Sequence, residues 1–269
     1  MKSYQIEEVE SIFLSAGLKN DDALLVHSAL NLLGKCDNCD FSEIPLMWIN
    51  MLESLCKNGA LLMPCFNYSF PTTHFADLRS LKSEVGILSE VFRGMAKKRS
   101  LHPMFSFCGS GARVGEFIAK TPEFNPFLQD STYHRLFLEN ALMAFVGIDI
   151  RVCTFMVYIE ATFGVKYRYF KPFSGRIISL SGNEIDGEFY HFCLPQGEKL
   201  QVNFFRVQEL MLKSGIIKRF PLGAKNIYIF RAQDFFNFIV ESLQKDPFIL
   251  LEHPPRHFYE FKDKEVRVE

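Results

Sequence analysis

The chain has 269 residues, 48% of them hydrophobic and 23% charged, and its 30 Lys+Arg against 31 Asp+Glu leave a formal charge of -1. This composition excludes a chain disordered along most of its length, because too much apolar surface would stay wet. It also excludes one pulled as a whole onto nucleic acid or anionic lipid by excess charge.

Residues 6–16 place Ile6, Val9, Ile12, Phe13 and Ala16 at helical spacing, and Gly17 supplies the stop. Ala23–Val26 is a continuous apolar run and reads as a buried strand. Ser42 precedes a helix to about Lys57, Asn58-Gly59 closes it, and Ala60–Met63 is the next buried strand. This order points to an α/β fold with a mainly parallel central sheet flanked by helices. Residues 66–83, rich in Phe, Tyr, Ser and Thr and holding Pro71, read as a long loop of a kind that is usually functional or mobile. Val85, Leu88, Val91, Phe92 and Met95 mark an amphipathic helix, Phe105–Phe107 a short strand, and 113–120 a further helix. Leu142–Val146 is another buried strand, followed by a helix from Cys153 to about Phe163. Beyond Val165 the chain turns β-rich: Tyr167–Phe173 and Arg176–Leu180 are strand-like, Asn183–Gly187 is a turn cluster, and Glu188–Leu194 is strand-like again. Residues 204–214 form a helix, Ile227–Phe230 a strand and 233–244 the last helix, and the charged stretch from Glu252 is expected to fray. The expectation is one domain over 1–269 with a β-rich insertion at about 165–200.

Seven cysteines are present, and Cys36-Asp-Asn-Cys39 is the one pair with CxxC spacing. No second ligand pair accompanies it, so it reads as a loop coincidence rather than a zinc or redox motif, and no metal is expected. Glu7, Glu8 and Glu10 stand where a signal peptide needs an apolar core, and no apolar run reaches about 18 residues. A cytoplasmic chain with no membrane span follows as the expectation. The assembly stays open, a homodimer included.

Polar groups directly after buried strands stand where ligands bind in open α/β sheets. Four such segments are His27-Ser-Ala-Leu30, Pro64–Phe70, Arg99-Ser-Leu-His-Pro103 and Gly147-Ile-Asp149. Leu25–Leu30, Leu62-Met-Pro64, Val85–Arg93, Arg99–Pro103 with Phe105-Ser106, Val146–Asp149 and Cys153-Thr-Phe155 through Glu160 occur in an order that resembles the aminoglycoside 3-N-acetyltransferase family. Asn67-Tyr-Ser-Phe70 and Tyr167–Gly175 look closer to relatives from bacterial polysaccharide gene clusters. The resemblance spans about residues 20–180.

The resemblance implies acyl transfer from coenzyme A to the amine of an amino sugar. In its polysaccharide branch the donor is acetyl- or 3-hydroxybutyryl-coenzyme A and the acceptor a nucleotide-linked 3-amino-3,6-dideoxyhexose. The resemblance lays His27, Ser28, Ser83, Val85, Gly86, Arg99, Ser100 and Ser106 along the cofactor. Gly86 lacks a Cβ, so a pantetheine arm has room against its backbone. Arg99, with Lys97 and Lys98, carries charge that suits phosphate. The plainer readings are a helix cap for Ser28 and a solvated helix end for the three cations.

In that family the stretch matching Thr154–Glu160 reads Thr-x-x-His-x-x-Glu, and its histidine is regarded as the general base. Here Val157 stands at the histidine position and Glu160 is retained. Valine accepts no proton. Three explanations follow: Glu160, His102 or His134 replaces the base, the chain only binds, or the sequence has been altered. His102, held out of helix by Pro103, reads equally as a substrate contact or a turn histidine. His27 reads better as a core histidine, His134 as an exposed one, and Asp149 holds a sugar hydroxyl, orients a histidine or is a turn aspartate. Asn67, Tyr68, Tyr167, Arg168 and Lys171 are the candidate substrate contacts, aromatic faces for rings and cations for a pyrophosphate.

The leading expectation is therefore a coenzyme-A-dependent N-acyltransferase for a nucleotide-linked amino sugar. Acidic residues in the 66–83 loop are limited to Asp77, which argues against a polycationic acceptor. Aminoglycoside 3-N-acetylation and a binding-only relative are the alternatives.

Overall fold

Three apolar runs, too short for buried helices, become the middle of a seven-stranded sheet. The protein is described from a computed structural model covering residues 2–196, 198–263 and 265–268. In chain order the elements are β1 (Ser3–Tyr4), α1 (Ile6–Ser15), β2 (Ala23–Ser28), β3 (Lys35–Cys36), α2 (Ile44–Leu55), β4 (Ala60–Pro64), α3 (Phe70–Thr73) and β5 (Phe75–Asp77). Then come α4 (Ile87–Met95), β6 (Lys98–Arg99), β7 (Phe107–Ser110), α5 (Val114–Phe117), α6 (Thr132–Leu138), β8 (Leu142–Val146) and α7 (Phe155–Phe163). The last are β9 (Tyr169–Ile178), β10 (Glu184–Cys193), α8 (Phe204–Lys213), β11 (Lys218–Leu222), β12 (Lys225–Arg231), α9 (Ala232–Lys245), β13 (Tyr259–Lys262) and β14 (Glu265–Val268).

The main sheet runs β11-β12-β8-β2-β4-β7-β6. The α/β class stands, but the sheet is mixed: β2 pairs in parallel with β4 and β8, and the remaining pairs are antiparallel. Alternation along each central strand sends side chains to opposite faces. Leu25, Leu62, Met143 and Phe145 meet one helical layer, which includes α7 and α9. Leu24, Val26, Met63 and Ala144 meet the other, with α1, α2 and α4. Two buried layers on one sheet explain why these strands are apolar throughout rather than alternating.

The β-rich segment is one long hairpin. β9 pairs antiparallel with β10 over ten residue pairs from Tyr169↔Cys193 to Ile178↔Glu184. The turn lies at Ser179–Asn183, earlier than the sequence cluster suggests, because Gly182 takes a φ of 85° and Ser179 Oγ accepts from the Asn183 N–H at 3.1 Å. Gly187 instead sits in β10 opposite Gly175. The 66–83 loop contains α3 and β5, and β5 extends the hairpin into a three-stranded sheet. The tail after Glu252 forms the β13–β14 hairpin rather than fraying. No described helix is long and apolar enough to cross a membrane. Among the described residues no cluster of His, Cys, Asp and Glu is placed to hold a metal ion.

Candidate active site

The carboxyl ends of β2, β4 and β8 open into a cavity of about 470 Å³. This is the crevice position where open α/β sheets bind ligands. Its floor is His27, Ser28 and Ala29, and its walls are Phe66 and Tyr68 after β4, Val85–Ile87 before α4, and Ile148, Val152 and Thr154 between β8 and α7. Gly86 caps α4 with φ 110° and ψ 156°. A Cβ there would lie 2.9 Å from the Ser28 carbonyl oxygen, so the two segments touch through a glycine backbone. The sequence thus brings His27, Ser28, Val85, Gly86 and Tyr68 to one opening, with Ser83 just upstream, where its Oγ accepts from the Val85 N–H at 3.4 Å.

The lining includes no carboxylate, lysine or arginine. An adjoining hollow shares Ile148 and Val152 and adds Asp149, Arg151 and Lys225. Asp149 is a cap there: it accepts from the Arg151 N–H at 3.1 Å and pairs with that guanidinium at 2.8 Å. Asn31 on the cavity wall escaped sequence reading, although it follows a strand end where polar groups are informative, and Thr154 was read only as the first residue of the family motif.

Several expected site residues are consumed by the fold. Arg99 is buried and donates to Ser106 Oγ and to the carbonyls of Leu78, Leu81 and Cys65 at 2.8–3.2 Å. It ties the 66–83 segment to the sheet edge and is not free for phosphate. Ser100 Oγ accepts from the Phe107 N–H and braces β6 on β7, and Ser106 Oγ donates to Cys65 O and braces the start of β7 on the end of β4. Asn67 donates to Lys82 O and Glu84 Oε1 while its Oδ1 accepts from Ser69, which pins the loop rather than a sugar.

The candidate bases fare similarly. His102 is fully buried, and its Nδ1 accepts from the Met104 and Phe105 N–H groups at 3.1 and 2.9 Å. Burial pushes its pKa down to about 3, so it is a neutral turn histidine away from the cavity. His134 Nδ1 lies 2.9 Å from the Tyr158 hydroxyl on α7. Glu160 is also fully buried; Tyr167 donates to it at 2.8 Å and Arg168 pairs with it at 2.9 Å. Tyr167 and Arg168 are therefore internal partners of a carboxylate rather than a platform for substrate. Lys171 lies over the Phe173 ring at 5.2 Å. Val157 is half-buried against the α7-side core, and its side chain supplies no proton acceptor. Burial pushes the Cys153 thiol up to about 12, which leaves it protonated and no nucleophile.

Comparison with known proteins bears on the family and the fold. A family model described as aminoglycoside 3-N-acetyltransferase matches residues 25–244. Aminoglycoside N(3)-acetyltransferase IX of Micromonospora chalcea is 23% identical over 254 residues, covering 85% of this chain and 89% of that protein. The fold is similar to that of aminoglycoside acetyltransferase AAC(3)-IVa crystallised as a mutant in complex with a gentamicin, at TM-score 0.73 and 22% identity, covering 95% of this chain and 93% of that one. It is also similar to AAC-IIIb in a binary complex with CoASH, at TM-score 0.73 and 18% identity, covering 94% and 100%. These findings overturn the expectation of a nucleotide-linked acceptor. Its physical basis fails as well: Arg168, cast as a pyrophosphate ligand, is buried on Glu160. The acid count of the loop misled too, since Glu84 and Glu90 sit just beyond it against Tyr68 and Ser83.

Proposed function

The chain belongs to the aminoglycoside 3-N-acetyltransferase family, and on that premise we propose that it transfers an acetyl group from acetyl-coenzyme A to an amine of an aminoglycoside. The observation that carries the proposal is the contact of Gly86 with Ser28 at the strand ends. It leaves a backbone-lined slot, and Val85, Ile87, Ile148 and Val152 supply apolar walls that suit a pantetheine arm. Lys225, and Arg151 paired with Asp149, stand on the adjoining rim, and the nine-residue α4 begins at the slot, so cationic side chains and helix N–H groups lie on the side where coenzyme phosphates would lie.

Amine attack on a thioester needs a neutral amine, donors for the developing oxyanion and an acceptor for the released proton. Ser28 and Thr154 offer hydroxyls to the cavity and Asn31 an amide. We read the attack as direct: no cysteine lines the cavity, and burial pushes the Cys153 and Cys65 thiols up and away from thiolate. The binding-only reading draws on one observation, the valine at position 157.

The test is thiol release from acetyl-coenzyme A with gentamicin, kanamycin and apramycin as acceptors. Release that depends on the aminoglycoside is the expected result. Calorimetric binding of acetyl-coenzyme A without release for any of the three would support the binding-only reading instead.

A further inference from the structure

We infer that His27 accepts the proton of the attacking amine, taking the part that Val157 leaves vacant on α7. The inference rests on the acetyltransferase reading above. Register is the first ground. β2 pairs in parallel with β8 so that His27 lies opposite Phe145, and their rings stack at 4.7 Å and an interplanar angle of 3°. Phe145 belongs to the core layer against which α7 and Val157 pack, so His27 projects on the α7 side of the sheet.

The second ground is an orphan. His27 is 6% exposed, lines the cavity next to Ser28, and its Nε2 has no hydrogen-bond partner. A buried polar atom left unpaired is costly, and native structures keep such atoms where they serve. The third ground is elimination within the site. His27 is the one imidazole in the cavity lining, while His102, whose Nε2 is likewise unpartnered, lies outside that lining, as do His134 and Glu160.

The step balances as follows. The neutral amine forms a C–N bond to the thioester carbonyl, and the C=O π pair moves to oxygen. The nitrogen passes a proton to His27. As the carbonyl re-forms, the C–S bond breaks and its electron pair leaves with sulfur. The imidazolium returns the proton to that sulfur, giving amide and coenzyme A thiol. Burial pushes the His27 pKa down to about 4, so the ring stands neutral at neutral pH and releases its proton readily to a thiolate.

The experiment compares thiol release and acetyl-coenzyme A binding in the native chain, His27→Gln, His27→Phe and His27→Gln/Val157→His. The phenylalanine variant keeps the stack on Phe145 and serves if the glutamine variant fails to fold. The expected result is a kcat lower by about 100-fold or more in both single variants. The KM and calorimetric Kd for acetyl-coenzyme A should stay within about threefold, and the added α7 imidazole should restore most of the lost rate. A kcat within about threefold of the native value in either single variant overturns the His27 assignment and leaves the acetyltransferase reading intact. Binding without release in the native chain overturns that reading, and the His27 role falls with it.

Discussion

Replacing Gly86 by alanine perturbs the slot at its narrowest point. At φ 110° and ψ 156° the residue occupies a region essentially reserved for glycine, and a non-glycine residue there costs about 1–3 kcal/mol. The new Cβ would also sit 2.9 Å from Ser28 O, a backbone atom of a central strand that has little room to retreat. Relief comes by turning the start of α4 away from β2, which opens the wall proposed for pantetheine. At roughly 2–4 °C per kcal/mol for a chain of this size, the melting temperature should fall by about 2–12 °C. Acetyl-coenzyme A binding should weaken by about tenfold or more, equivalent to about 1.4 kcal/mol. Gly94, on the same helix, is the control. A Cβ there meets nothing within 4 Å, so Gly94→Ala should gain about 0.5–1 kcal/mol from helix propensity and bind as the native chain does. Calorimetry with thermal melts reads both variants. Native affinity and stability in Gly86→Ala, or equal damage from Gly94→Ala, would refute the reasoning.

Val157→His in an otherwise native chain should change kcat by less than about tenfold, because His27 already serves; a gain of about 10²–10⁴ would mean that the native site has no base. Glu160→Gln strands the Arg168 guanidinium, whose side chain is 7% exposed, and urea titration should show a loss of about 3–5 kcal/mol. Reduced turnover at unchanged stability would instead give Glu160 a chemical part. Acid should unfold the protein early: burial depresses the pKa of His27 to about 4, His102 to about 3 and His191 to about 4 from an ordinary 6.5. The unfolded chain then binds more protons than the folded one, so stability is full above about pH 6.5 and falls as the pH drops toward 4. A urea midpoint that stays flat from about pH 7 to 4.5 would contradict this.

The central strands were legible because β2, β4 and β8 are buried on both faces and read as unbroken apolar runs. Strand direction was not, since the same pattern serves either pairing and only tertiary contact turns β7 and β12 antiparallel to their neighbours. β11 was missed because Pro221 argues against a strand, yet it lies at a sheet edge where a proline is tolerated. At the site, Ser28 and Gly86 emerged from motif order, and the structure joins them at one opening. Arg99, Ser106 and Asn67 are bonded within the fold, which linear pattern hides, because a polar residue near a strand end reads alike whether it faces a ligand or a neighbouring carbonyl; Glu160, inside α7, is engaged by Tyr167 and Arg168 from the next segment. His27 was discounted as a core residue. It is one, but it also lines the cavity with an unpaired nitrogen, which no linear pattern reveals.

Hydrogen–deuterium exchange with and without coenzyme A tests the location of the acyl-donor site most directly. The account predicts protection concentrated at residues 26–31, 85–90 and 147–154. Protection instead around Lys97, Lys98, Lys120 and Ser181, which line a separate basic groove, would contradict it.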